Sequence, residues 1–151
     1  MGEQELFNGL IATYRELNLK VRALPEERLR LGRDRHSVRN VILEMRDDEL
    51  HFSQALKDRL SGREMADVLN ESFQGAELEI PSPDDTTVEA LSQFGTARES
   101  TLAMLRGMGP EAWDDQTFGS LTIRAASDAL LANDGVQLER IVGLLGSPST
   151  T

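Results

Sequence analysis

Four stretches of this chain carry apolar residues at helical spacing, and no stretch alternates with period two for long enough to make a strand. In the first, Leu6, Phe7, Leu10, Ile11, Tyr14, Leu17, Val21 and Leu24 recur three and four residues apart, which predicts a helix from about Gln4 to Ala23. Pro25 ends it or opens a short turn. In the second, Ser37 is a good N-cap before a stripe of Val38, Val41, Ile42, Met45, Phe52, Leu56 and Leu60, with Gly62 as its stop. The third opens on the capping-box pair Thr86 and Glu89, carries Val88, Leu91, Phe94, Leu102 and Leu105, and ends near Gly107. The fourth starts at Thr122 and carries Ile123, Ala126, Leu130, Leu131, Leu138, Ile141, Val142 and Leu145. Rods of about 20–24 residues are roughly 30–36 Å long, and their stripes need one another. The expected fold is all-α, a four-helix bundle.

The connections shape the topology. Residues 62–85 are too many for an antiparallel hairpin and can cross the whole bundle, which places helices two and three parallel. Met65 to Leu69 reads as a possible short helix there, and Ile80-Pro81-Ser82-Pro83 as extended chain. The other long connection, Met108 to Leu121, holds the sole tryptophan, Trp113, expected as a lid on one bundle end. Residues 1–146 form the bundle and 147–151 a disordered tail.

Composition narrows the function. Leu, Ile, Val and Phe supply 39 of 151 residues, about 26%, enough for a packed core. There is no cysteine, so disulfides, thiolate nucleophiles and Cys-ligated metal are excluded. A formal charge of −10 disfavours nucleic acid and anionic membranes as partners. No apolar run is long enough to span a bilayer, and Met1 to Asn8 lacks the basic start of a signal peptide. A soluble, cytoplasmic protein is expected.

Each stripe is centred on a polar residue near its helix midpoint: Tyr14, Glu49, Arg98 and Asp134. Midpoints of equal rods meet at one level, so these four are expected to form a buried polar layer. Two readings stand: an ionic network that fixes register, or a small interior pocket. Asn133-Asp134-Gly135 lends weight to the pocket, because it reads as a turn yet sits inside a helical stripe. With two acids and one arginine the layer has one excess negative charge, to be met by a retained proton or by a cation. Asp84-Asp85 is expected to serve the N-terminus of the third helix. Asp47-Asp48-Glu49 points three ways on a helix and reads as a partly solvated face.

The stretches from Ser37 to Glu49 and from Gly119 to Ile141 make the chain resemble the DinB-like family of four-helix bundles. The resemblance covers nearly the whole chain in helix order. It implies a divalent-metal site built from one His on the second helix and two His four residues apart on the fourth, and, in some members, thiol-cofactor-dependent transferase or isomerase activity. The matching positions here are Glu44, Asn133 and Gln137. His36 and His51 fall at none of them. A degenerate metal site is therefore expected, with no cofactor, or at most a weakly bound divalent ion. The functional expectation is a small-ligand-binding or stress-related protein, a homodimer as such bundles often are. The alternative is a metal-dependent thiol-cofactor transferase with atypical ligands.

Overall fold

The structure, a computed structural model, describes residues 2–32, 36–75, 84–114 and 121–146, of which 61–75 as backbone only. The described residues form six helices: α1 Glu3–Val21, α2 Glu26–Leu29, α3 Val38–Gly75, α4 Thr87–Gly107, α5 Pro110–Trp113 and α6 Ile123–Gly146. Four are long and pack together; α2 and α5 are single turns in the connections.

Helix starts follow local chemistry. Ser37 Oγ accepts from the Asn40 amide at 3.1 Å, Thr86 Oγ1 from the Glu89 amide at 3.1 Å, and Thr122 Oγ1 from the Ala125 amide at 3.0 Å. Each satisfies a backbone donor that has no partner within its own helix. The N-terminus of α4 has a second, long-range cap. The Glu26 carboxylate, from α2, accepts from the Thr87 amide at 3.1 Å and from the Thr87 hydroxyl at 3.0 Å.

One expectation needs correction here. Helix α3 does not stop at Gly62; it runs on to Gly75, so 65–69 is part of it and not a separate helix. A mid-helix glycine costs only about 1 kcal/mol, which the helix-forming run from Arg63 to Glu71 offsets. Asp85 stands directly before the Thr86 cap of α4, where its negative charge is expected, and also reaches across to α3. Its carboxylate holds the Arg46 guanidinium at 3.3 Å and the Gln93 amide at 3.1 Å. The extended chain expected at 80–83 and the tail at 147–151 lie outside the described residues.

Side-chain pairs fix the directions. Arg46 meets Gln93 and Ser53 meets Ser100, so α3 and α4 run parallel. Glu3 meets Arg124 and Thr13 meets Asp134, so α1 and α6 run parallel. Glu44 meets Gln137, and Arg98 meets both Glu49 and the Leu10 carbonyl, so the two pairs oppose each other. Helices α1 and α3 are each flanked by α4 and α6. The order is up, down, down, up, with a crossover between the two middle helices.

The core is in two parts. One cluster holds Leu17, Val21, Leu29, Val41, Ile42, Met45, Leu91, Phe94 and Ile141; the other holds Leu6, Leu10, Leu56, Leu102, Leu105, Trp113 and Ile123. Trp113 closes the second cluster, its ring centroid 6.0 Å from that of Phe7 and 5.3 Å from the Arg124 guanidinium carbon. Two stripe residues, Leu60 and Val142, are exposed. Ile141 takes the core-facing position on that turn of α6, and Val142 is one helical step away from it. No described helix is long and apolar enough to cross a membrane.

Candidate functional site

A polar layer separates the two apolar clusters. On every long helix it falls between residues of one cluster and residues of the other: Thr13 between Leu10 and Leu17, Glu49 between Met45 and Leu56, Arg98 between Phe94 and Leu102, Asp134 between Ile123 and Ile141. Glu49 and Arg98 are each 1% exposed and Asp134 is 3% exposed.

Arg98 is the hub. Its Nη1 donates to Asp134 Oδ2 and to the Leu10 carbonyl, each at 2.9 Å. Its Nη2 donates to Asp134 Oδ1 and to Glu49 Oε1, again at 2.9 Å. The Asp134 pair is bidentate, the strongest geometry for this ion pair. All four terminal N–H groups are thus engaged. The guanidinium carbon also lies 4.9 Å from the centre of the Phe94 ring, within cation–π reach. Burial works against the Arg98 charge, but the hydrogen bonds and charges of Asp134 and Glu49 outweigh it. The guanidinium is held protonated more firmly than an ordinary arginine.

Of the four residues expected in the layer, the structure brings together Glu49, Arg98 and Asp134 and leaves out Tyr14. Tyr14 is half-buried and packs its ring over Gly95 and beside Phe94, 6.2 Å between centroids. Thr13 takes its place, donating from Oγ1 to Asp134 Oδ2 at 2.7 Å. The stripe Leu10, Leu17, Val21 is centred between positions 13 and 14, so the pattern cannot choose between them. The choice falls to the neighbours: Gly95 on α4 leaves room for a ring, and Asp134 Oδ2 on α6 lies within reach of the Thr13 hydroxyl. The Leu10 carbonyl was also invisible in the sequence, since backbone acceptors leave no residue signature.

The layer is not fully satisfied. Among the described residues Glu49 Oε2 is buried and has no hydrogen-bond partner; Arg98 Nε and Ser127 Oγ are in the same condition. The terminal N–H groups of Arg98 are all engaged, and its Nε–H, on the edge of the guanidinium that meets Glu49, is the one donor it has free among the described residues.

The positions matched to the family's metal ligands lie on the rim between α3 and α6. Glu44 Oε2 accepts from Arg140 Nη1 at 2.7 Å, and Gln137 Oε1 accepts from the same nitrogen at 2.7 Å. Gln137 Nε2 reaches Glu44 Oε2 at 3.4 Å. Asn133 is exposed and stands apart. On the same side of α3, burial and the charge of Glu44 push the Asp48 carboxyl above its ordinary value, against the pull of His51. His36 and His51 are both exposed. Among the described residues no group of three or more His, Asp or Glu is placed to hold a metal ion.

Comparison of the chain with protein-family models, with curated proteins and with solved structures returns no match.

A second buried guanidinium escaped the sequence reading. Arg46 is 4% exposed and joins Asp47, Asp85 and Gln93. Its period places it one turn before Glu49 on the α3 face that meets α4, the signal that could have found it.

Proposed function

We propose that the protein is a DinB-like four-helix bundle that works without that family's metal triad, as a binding protein whose small ligand is received at the buried layer of Glu49, Arg98 and Asp134. Glu49 Oε2 carries this reading. A buried carboxylate oxygen without a donor costs free energy, and a layer with two acids and one arginine has one negative charge in excess. Structural ion networks satisfy their members, and one left open is where a further partner would be gained. The parallel pairing of α3 and α4, with the crossover it requires, supports the family reading.

The rim argues against metal-dependent transfer. Glu44 is the only carboxylate among the three matched positions, and the Arg140 guanidinium already neutralises it. The other two positions offer neutral amides, which bind nickel or zinc poorly. That donor set does not suit a tightly held transition metal. A homodimer belongs to the same proposal; exposed Val136 and Val142 on α6 are where a second copy would cover apolar surface.

Metal analysis and native mass spectrometry of gently purified protein test this reading. The expected result is nickel and zinc far below one per chain, and a small bound mass that disappears in Glu49→Gln. Stoichiometric nickel or zinc that falls away in Glu44→Gln would overturn it and put the transferase reading in its place.

A further inference from the structure

The unpartnered oxygen has a neighbour that narrows what could meet it. Ser53 follows Glu49 by four residues on α3, so both side chains lie on one face. Ser53 is 4% exposed, and its hydroxyl reaches only Ser100 on α4, at 3.4 Å. That is beyond the usual 2.5–3.0 Å range for a hydroxyl donor to oxygen, so the bond is weak and the Ser53 oxygen keeps its lone pairs available. The groups that face Glu49 are Arg98 from α4 and, through Arg98, Asp134 from α6. From α1 the layer receives only the Thr13 hydroxyl and the Leu10 carbonyl, neither of them charged.

Charge selects the occupant. With both acids ionised one negative charge is in excess; a retained proton removes it with no ligand, a monovalent cation balances it, and a divalent ion would leave a buried positive charge in its place. Burial selects against size: at 1% exposure Glu49 admits no bulky group from solvent. Oxygen donors without nitrogen or sulfur select a hard cation or a hydrogen-bonding one. A water molecule would satisfy the hydrogen bond but leave the charge.

We propose that one small, desolvated monovalent cation, an alkali ion or ammonium, is held by Glu49 Oε2 and the Ser53 hydroxyl between α3 and α4. The inference rests on the reading of the layer as a ligand seat and names the class of ligand. The ion links the two parallel helices at the level where the apolar core is interrupted.

Thermal melts of the full chain in sodium, potassium, ammonium and choline chloride at equal ionic strength test it. Choline is too large for the seat and serves as the reference. The expected result is a saturable rise in Tm with one of the small cations, about 4–6 °C at tenfold over half-saturation. Glu49→Gln and Asp134→Asn each remove the excess charge, and both should melt alike in all four salts. Ser53→Ala should keep the cation effect with a half-saturation shifted upward severalfold. Equal melting of the parent in all four salts overturns the inference and leaves a proton retained by one of the two acids as what meets the excess charge. So does a cation effect that survives in Asp134→Asn, which decides the matter if Glu49→Gln does not fold. If the salts make no difference but native mass spectrometry finds a Glu49-dependent organic mass, the cation fails and the ligand seat stands. If neither appears, both fail.

Discussion

Arg98 holds three helices through one guanidinium, so its loss is the most damaging single change in the layer. Arg98→Leu leaves Glu49 and Asp134 buried without a counter-charge, and the expected loss is roughly 3–5 kcal/mol. Asp134→Asn removes the excess charge but sets an amide N–H against a donor of Arg98 or Thr13 and gives up one arm of the bidentate bond, so it should cost about 1–3 kcal/mol, less than Arg98→Leu because Glu49 still pairs the guanidinium. Melting curves of the two variants at neutral pH separate them; equal, parent-like melting of both would mean that the layer contributes no stability. Gly95 is the other sensitive residue. A Cβ there would run into the Tyr14 ring, which has to swing away from Phe94. Gly95→Ala should cost about 1–3 kcal/mol. Combining it with Tyr14→Ala should recover part of that loss, since the two residues share one contact. Denaturant titration of the two single variants and the double variant measures the coupling, and simple additivity would contradict the packing described.

At the scale of elements, the connections hold the bundle ends together. Gly32, after α2, has a φ of +147°, and a Cβ there would meet the His36 carbonyl. Gly32→Ala should therefore cost more than the roughly 1 kcal/mol of an ordinary backbone mismatch, read as a lower denaturant midpoint. Glu26 ties α2 to α4. Burial alone would raise its carboxyl, but hydrogen bonds from Arg30, the Thr87 amide and the Thr87 hydroxyl outweigh this and hold it below its ordinary value near 4.5. A depressed carboxylate stabilises the fold fully above its unfolded pKa and loses that contribution as pH falls through the folded one. The Tm gap between the parent and Glu26→Gln should be constant from pH 7 to about 5 and close below pH 4.5. A gap unchanged down to pH 3 would show that the Thr87 cap does not depend on the charge. Glu26 is well solvated, so the gap is small.

At the scale of the whole molecule, the parallel α3–α4 pair is the feature with most consequence. It puts Leu60 and Ala103 at one end of the bundle and Glu89 at the other. Spin labels at 60 and 103 should therefore report a shorter distance than labels at 60 and 89; the reverse order would mean an antiparallel hairpin. Much of this architecture was legible without coordinates. The stripes from Leu6, Val38, Leu91 and Ile123 identified four helices, because burying one face of a 3.6-residue period leaves a trace at every turn. The caps at Ser37 and Thr86 were legible too, and so was the start of the fourth helix at Thr122, since a capping side chain acts on donors two or three residues away. The interrupted stripes at Glu49, Arg98 and Asp134 marked a polar layer, because a charged residue in an apolar stripe has to find a partner. Other features were decided only by tertiary packing. The sequence could not choose Thr13 over Tyr14, which depended on the room at Gly95 and on Asp134 Oδ2 lying within reach of the Thr13 hydroxyl. It could not assign Asp85 to Arg46, reach the Leu10 carbonyl, or place the Glu26 cap on α4, all contacts between segments distant in the chain. Nor could it foresee that Glu49 Oε2 is left without a donor. Local periodicity determined which residues go inside, whereas the pairing of the atoms there depends on which helices lie side by side, and in which direction.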